Sequence, residues 1–142
     1  MSAKAIRVLV QYRLEQADQA LRVGRMALDG DYLRDAVNRF YYAMFYAVLA
    51  LLANRRMETS KHQGAIALFD KEFVKAGVFS KDLSAWLHGA FEQRMEVDYK
   101  APAPLTTAEV ETLSQRAESF LQSVRSHLAS VVTEPTTGDE SR

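Results

Sequence analysis

The feature that most constrains the fold of this chain is an uncharged stretch from Phe40 to Ala53, with the sequence FYYAMFYAVLALLA. A helix that is apolar on every face must be surrounded by other helices. The stretch is shorter than the roughly 20 apolar residues that a membrane span requires, and polar residues flank it, with Arg39 before it and Asn54 after it. It therefore predicts the central helix of a helical bundle and no association with a membrane.

Apolar residues at spacings of three and four predict four further helices around this central one. A turn at Gly30, expected in the left-handed conformation, ends the first helix, and Asp31 is expected to be the N-cap of the second. Thr106 and Glu109 form a capping box that starts the fifth helix. The predicted helices are Ala3 to Leu28, Tyr32 to Asn54, a shorter one from Lys61 to Lys75, Lys81 to Lys100, and one from Thr106 to about Val131.

We therefore predict an all-α fold, an up-and-down helical bundle of four long helices plus one short helix. One hundred and forty-two residues are enough for one domain with a core of its own. Residues 1–132 are expected to form this single domain, and residues 133–142 a flexible, solvated C-terminal tail.

Composition excludes several classes of protein. The chain has no cysteine, which rules out disulfides, thiolate metal sites and cysteine nucleophiles. We read no targeting segment at the N-terminus, and we expect a cytoplasmic protein. The net charge is zero, with ten basic against six acidic residues up to Lys61 and eight against twelve after it. This mild asymmetry permits a basic face on the first two helices and equally permits charge pairing within the molecule.

The most informative candidate site lies on the fourth helix. Its apolar stripe runs through Leu87 and Phe91 and continues, at the same spacing, into Arg94 and Asp98. An inward-pointing guanidinium held by a carboxylate one turn away has the geometry of a phosphate clamp. The structural alternative is a buried ion pair at i and i+4 that only fixes helix packing.

A second group of candidates lies on the central helix and at the start of the short one. Asn38 and Arg39, together with Tyr41, Tyr42 and Tyr46, can face Arg94 across a cleft and bind a phosphate or stack on a base. Lys61 and His62 can add a phosphate contact. The alternatives are that the aromatic rings belong to the core and that His62 is a polar helix cap. No metal-ligand spacing and no glycine-rich phosphate loop occurs, so we expect no bound metal and no cofactor.

Five segments of the predicted bundle form a recognisable combination: RFYYAMFYAVLALL (39–52), SKHQG (60–64), FDKEFVKAGVF (69–79), FEQR (91–94) and Asp98–Tyr99. Through this combination the chain resembles the HEPN domain family. It looks most like the small stand-alone bacterial and archaeal HEPN proteins that are often encoded beside a minimal nucleotidyltransferase. The resemblance covers roughly Asp31 to Leu128.

The resemblance implies an α-helical bundle, a homodimer and, in many members, a metal-independent endoribonuclease or the toxin of a toxin–antitoxin pair. The catalytic signature of the family is an arginine followed, after four to six residues, by a histidine. Arg94 matches the arginine, but Tyr99, Lys100 and Ala101 occupy the three positions at which the histidine would stand. The tyrosine that a partner nucleotidyltransferase adenylylates in some systems falls at Ala101 here, so that regulation does not carry over.

Three hypotheses follow. The first is a toxin–antitoxin or defence-type protein that binds RNA or nucleotide phosphate through a cleft at Arg94, with metal-independent RNA cleavage in which Arg94, Asp98 and Tyr99 take part. Tyr99 is a poor base near neutral pH, because the reference pKa of a phenol is about 10. The second is a non-catalytic dimeric module that binds a nucleotidyltransferase partner or a nucleotide. The third is a purely structural bundle that binds neither RNA nor nucleotide.

Overall fold

The computed structural model describes residues 1–59, 61–99 and 104–133, with the side chains of residues 132 and 133 left aside. Within these ranges the chain is helical and forms no strand, which confirms the all-α bundle of four long helices and one short helix. The helices are α1 (Ala3–Asp29), α2 (Leu33–Asn54), α3 (His62–Phe69), α4 (Lys81–Tyr99) and α5 (Thr107–Thr133).

Helix α2 is the centre of the bundle and packs against all four other helices. Phe40, Tyr41 and Met44 are completely buried on it. Its length and composition are those of a helix that can cross a membrane, but 72% of its most apolar 18-residue window is buried inside the bundle. Burial on this scale is what the core helix of a bundle requires.

A close approach of α1 to α2 is possible because residue 24 is glycine. A Cβ atom at Gly24 would lie 2.6 Å from Cε1 of Phe40 and 2.8 Å from Cδ1. Apolar residues of α1, including Val10, Leu14 and Leu21, are buried in the core. The missing side chain thus lets the fully buried ring of Phe40 pack against the backbone of α1.

The turn between α1 and α2 corrects the sequence prediction by one residue. Asp31, with φ of 65°, takes the left-handed conformation that was expected at Gly30, whose φ is −85°. The backbone N–H of Tyr32 bonds to the carbonyl of Ala27 at 2.7 Å, and that of Asp31 bonds to the carbonyl of Leu28 at 3.0 Å. These are the two bonds of a Schellman motif with Asp31 at its left-handed position, because α1 runs one residue further than predicted.

The same turn overturns the prediction that Asp31 caps α2. Tyr32 occupies the N-cap position, and no side chain caps the helix there. A residue already used as the left-handed terminator of α1 cannot also adopt the extended conformation of an N-cap. Three residues, Gly30 to Tyr32, therefore join the two helices, one position later than the sequence predicted.

The short helix is α-helical only to Phe69 and continues as a π-helical turn over Asp70–Val74. Gly77, with φ of 84°, reverses the chain after it. The ring of Phe79 then stacks on those of Phe69 and Phe73, with centroids 5.9 and 6.0 Å away. This packing returns the segment to the core and joins it to the end of α3.

The predicted capping box at the start of α5 is confirmed. The backbone N–H of Glu109 donates to Oγ1 of Thr106 at 3.1 Å, and that of Thr106 donates to Oε1 of Glu109 at 3.2 Å. The predicted end of α4 at Lys100 lies outside the described residues. So does the predicted tail from residue 134 onward, whereas Thr133 is the last residue of α5.

Candidate functional site

Arg94 lies near the end of α4, with only 16% of its side chain exposed. Its Nε atom is 3.0 Å from Oδ2 of Asp98, whose side chain is 31% exposed. The Nε–H is not aligned with the carboxylate, so the contact is an ion pair without a well-formed hydrogen bond. Nη2 of the same guanidinium donates to the hydroxyl of Tyr42 at 3.4 Å. The predicted contact between Arg94 and Asp98 is thus present, and α2 supplies a further partner.

The guanidinium of Arg94 also rests against two aromatic rings of α2. Its Cζ atom lies 5.7 Å from the ring centroid of Tyr41 and 5.5 Å from that of Tyr42. Cations at this distance from an aromatic ring are attracted by the negative face of its quadrupole. The partial burial of this charge is therefore compensated from two helices, by a carboxylate on α4 and by the rings on α2.

Arg39 brings a second guanidinium to the ring of Tyr42. Its Cζ atom lies 5.0 Å from the ring centroid. Oδ1 of Asn38 accepts hydrogen bonds from Nη2 of Arg39 at 2.9 Å and from Nε at 3.2 Å. Asn38, Arg39 and Tyr42 are all partly exposed. The structure thus places these three predicted residues together, on the side of Tyr42 that leads to the surface of α2.

His62, the first residue of α3, packs into the same group of aromatic rings. Its Nδ1 atom is 2.7 Å from the hydroxyl oxygen of Tyr41. Its ring stacks on that of Phe45, with centroids 4.1 Å apart and planes at 6° to each other. It meets the ring of Tyr42 edge-on, at 5.6 Å and 88°. His62 and Arg94 therefore contact the same two tyrosines, Tyr41 and Tyr42, although they are 32 positions apart in the sequence.

Burial and the charge of Arg94 set the protonation of this group. Burial raises the pKa of the Tyr41 hydroxyl far above its ordinary value, with a smaller opposing effect from Arg94. The pKa of His62 is lowered, first by burial and then by the positive charge of Arg94. Both effects favour the neutral form, because removal from water and a like charge penalise the imidazolium. We refer to Arg39, Tyr41, Tyr42, His62, Arg94 and Asp98 as the Arg94 cluster.

Two predicted site residues lie apart from the Arg94 cluster. Tyr99 is 70% exposed at the end of α4, and no hydrogen bond or ring contact joins it to the cluster among the described residues. Lys61 is exposed, and its backbone forms the start of α3. The position of the family's modified tyrosine, Ala101, lies outside the described part of the chain, as does Ser60.

Sequence reasoning did not select Phe45, and it did not foresee that Tyr41 contacts His62. Tyr41 is completely buried, yet it contacts both His62 and Arg94. Phe45, one turn further along α2, provides the surface on which His62 stacks. The only signal in the sequence was the run of aromatic residues itself. A run of this kind shows burial, but it does not show which ring meets which side chain of another helix.

A shallow depression of about 190 Å³ borders the Arg94 cluster at Arg39. Helices α1 and α2 form it, and its lining includes Gln16, Gln19 and Tyr46. A larger cavity of about 750 Å³ lies at the other end of α2, beside the start of α1, and shares no residue with the cluster. Among the described residues no three His, Cys, Asp or Glu side chains form a group that could hold a metal ion.

The fold and the site define a class: a small helical bundle whose central helix carries aromatic rings that hold two arginines and a histidine near the surface. Comparison with known proteins identifies the family. The family model of the HEPN domain matches residues 10–127, so this chain belongs to the HEPN family, and the resemblance in the sequence is confirmed.

Three relatives illustrate the match. A Thermotoga maritima protein named "UPF0332 protein" is 35% identical over 116 residues, which cover 82% of this chain and 88% of that protein. Two Methanocaldococcus jannaschii proteins are named "Putative toxin MJ0142" and "Putative toxin MJ0605". The first is 31% identical over 82% of this chain and 80% of its own length, and the second is 30% identical over 91% and 96%.

Proposed function

We propose that this HEPN protein is the toxin-type component of a two-protein module and binds single-stranded RNA, with one phosphate at the Arg94 cluster. The observation that carries the proposal is the position of Arg94, a largely buried guanidinium held against Tyr41 and Tyr42 with one carboxylate beside it. An arginine binds two phosphate oxygens at once, and its charge persists at any physiological pH. The names of the Methanocaldococcus relatives support the toxin assignment.

RNA is favoured over an isolated anion by what surrounds Arg94. Arg39 supplies a second positive charge against the same ring of Tyr42, with its Cζ atom 5.0 Å from the ring centroid. The depression that begins at Arg39 offers space for a nucleoside, and the ring of Tyr46 lines it. Phosphate contacts from arginines together with aromatic rings for base stacking are the usual means of binding single-stranded nucleic acid. Since the net charge of the chain is zero, affinity must come from this local arrangement.

The proposal includes a cytoplasmic homodimer and a minimal nucleotidyltransferase as the partner protein. Pairing two molecules through the aromatic start of α2 and the end of α4 would place two Arg94 clusters around one RNA. A cross-link that put the two Arg94 residues on opposite outer faces would exclude such a composite site.

Fluorescence anisotropy with a labelled pool of single-stranded RNAs tests binding. The variant is Arg94→Ala, and the matched control is Arg25→Ala, which removes an arginine that is 42% exposed and pairs with Glu118 between α1 and α5. Because a charged hydrogen bond contributes about 1.5–3 kcal/mol, the Arg94 variant should bind roughly tenfold more weakly or worse. The control should match the natural protein. Equal binding by the Arg94 variant, with its helical fold verified by circular dichroism, contradicts the proposal.

The same RNAs incubated in EDTA test cleavage. Cutting that is lost in Arg94→Ala and kept in Arg25→Ala identifies a metal-independent ribonuclease. Binding without cutting identifies the second candidate, a non-catalytic module. The positions of the two other predicted catalytic residues favour that candidate. Tyr99 is exposed at the end of α4, and the carboxylate of Asp98 forms an ion pair with Arg94. Neither Tyr99 nor Asp98 is therefore placed to take a proton from the 2′-hydroxyl of an RNA.

A further inference from the structure

The hydrogen bond between Tyr41 and His62 determines which ring nitrogen of the histidine carries a proton. The role in RNA binding that we infer from it below rests on the proposed function. Tyr41 is completely buried. Within the described residues, His62 Nδ1 at 2.7 Å is the one hydrogen-bond partner of its hydroxyl. A buried hydroxyl whose proton finds no acceptor is costly. The hydroxyl therefore donates its proton to Nδ1.

This direction of donation fixes the tautomer of the ring. A neutral imidazole carries one proton, and a ring whose Nδ1 accepts a hydrogen bond carries that proton on Nε2. The groups that face His62 all favour this state. Burial raises the pKa of the Tyr41 hydroxyl, so this phenol keeps its proton in the neutral range, and Arg94 on α4 disfavours a second positive charge. The stacked ring of Phe45 then sets the plane in which the Nε2–H bond points.

We infer that Tyr41 is a positioning residue that fixes His62 as an Nε2–H hydrogen-bond donor, so that His62 on α3 and Arg94 on α4 both donate to one RNA phosphate. His62 is partly exposed, and Nε2 is the ring nitrogen that makes no hydrogen bond within the described residues. In this tautomer Nε2 has no lone pair with which to take a proton. The histidine therefore binds the phosphate and does not replace the catalytic base of the family signature.

Ring-nitrogen NMR tests the tautomer directly. The protein, labelled with ¹⁵N, contains three histidines in this sequence, and loss of one set of signals in His62→Gln assigns His62. At pH 7.5 we expect a protonated Nε2 and an unprotonated, hydrogen-bonded Nδ1. A proton found on Nδ1 overturns the inference and leaves the proposed RNA binding intact.

Two substitutions of His62 test the donor role, because they place an amide NH₂ at different ring positions. The amide of Gln reaches the position of Nε2, whereas that of Asn reaches only the position of Nδ1. His62→Gln should bind the labelled RNA within about threefold of the natural protein, and His62→Asn should lose about tenfold, the effect of one charge-assisted hydrogen bond. Equal binding by both variants and the natural protein overturns the inference alone. Failure of the natural protein to bind RNA overturns the proposed function as well.

A double-mutant cycle tests the positioning role of Tyr41. Tyr41→Phe keeps the buried ring and removes the proton donor, so His62 is free to populate both tautomers. We expect several-fold weaker RNA binding for Tyr41→Phe in the natural protein and no further loss in the His62→Gln background, because glutamine has no tautomer to fix. The same loss in both backgrounds would show a purely structural tyrosine and would contradict the inference.

Discussion

The guanidinium of Arg94 and the carboxylate of Asp98, one turn apart on α4, form an ion pair with Nε and Oδ2 at 3.0 Å. Their side chains are 16% and 31% exposed, so the arginine is the more deeply placed partner. The carboxylate of Asp98 occupies one side of the Arg94 guanidinium, and a bound phosphate would compete for this charge. Asp98 should therefore stabilise the fold and weaken phosphate binding.

Asp98→Asn should lower stability and strengthen RNA binding. It removes the negative partner of a largely buried charge while Tyr41 and Tyr42 continue to contact that charge. Because Asp98 is partly solvated, we expect its replacement to lower the free energy of unfolding by about 1–2 kcal/mol, less than the loss of one partner from a fully buried ion pair. Urea denaturation and anisotropy titration measure the two effects. Weaker RNA binding in this variant would instead indicate that Asp98 contacts the RNA or its reacting atoms.

His62 should make the protein less stable below neutral pH. Burial and Arg94 lower its pKa in the folded state, so the unfolded chain binds the additional proton more readily. The folded state therefore has its full stability above the unfolded pKa of about 6.5 and loses it progressively as the pH falls towards the folded pKa. The titratable or charged residues that face the ring are Tyr41, Tyr42 and Arg94.

Urea denaturation at pH 7.5 and pH 5.5 checks this linkage in the natural protein and in His62→Gln. Carboxylates that titrate in the same range affect both proteins alike. The decrease in unfolding free energy on acidification should be smaller in His62→Gln, since glutamine binds no proton. An equal decrease in the two proteins would contradict the expected shift.

The parts of the site that could be predicted from the sequence are those within one helix. Arg94 and Asp98 interrupt an apolar stripe at helical spacing, so their contact follows from the periodicity of α4 alone. Asn38, Arg39 and Tyr42 lie together on α2 for the same reason. Local periodicity decides which side chains share a face of one helix, and the fold then preserves that arrangement.

Between helices, the sequence anticipated that residues of α2 face Arg94 on α4, but it did not show where α3 would lie. His62 meets Tyr41 because the start of α3 packs beside α2, and the position of α3 depends in turn on how Phe69, Phe73 and Phe79 stack. Such packing depends on the shapes of many side chains at once. The left-handed conformation between α1 and α2 was predicted one residue too early for a related reason. The exact end of a helix depends on its last hydrogen bonds, which the sequence does not show.

The capping box of α5 should contribute measurably to stability. Oγ1 of Thr106 accepts a hydrogen bond from the backbone of Glu109, which otherwise lacks a partner at a helix start. Thr106→Ala should therefore lower the free energy of unfolding by about 1 kcal/mol. Thr106→Ser keeps the acceptor and serves as the control. Thermal or urea denaturation that separates the two substitutions by less than a few tenths of a kcal/mol would show that the cap contributes little.

Two glycine-to-alanine substitutions should change stability in opposite directions. At Gly24 the new Cβ would lie 2.6 Å from the fully buried ring of Phe40, which has no room to move. Gly89 is exposed on α4, and a Cβ there meets no atom within 4 Å. Alanine favours a helix over glycine by about 1 kcal/mol, so Gly89→Ala reports this gain without a clash.

Gly24→Ala combines the same helical gain with overpacking, which typically costs about 1–3 kcal/mol. We expect it to be less stable than the natural protein and Gly89→Ala to be more stable, in urea denaturation at one pH. A shift of α1 away from α2 would also move Arg39, which directly precedes Phe40 in the sequence. The contact of Arg39 with the ring of Tyr42 would then be disturbed. If Gly24→Ala proved as stable as Gly89→Ala, the close approach of α1 to Phe40 would not be a constraint of this fold.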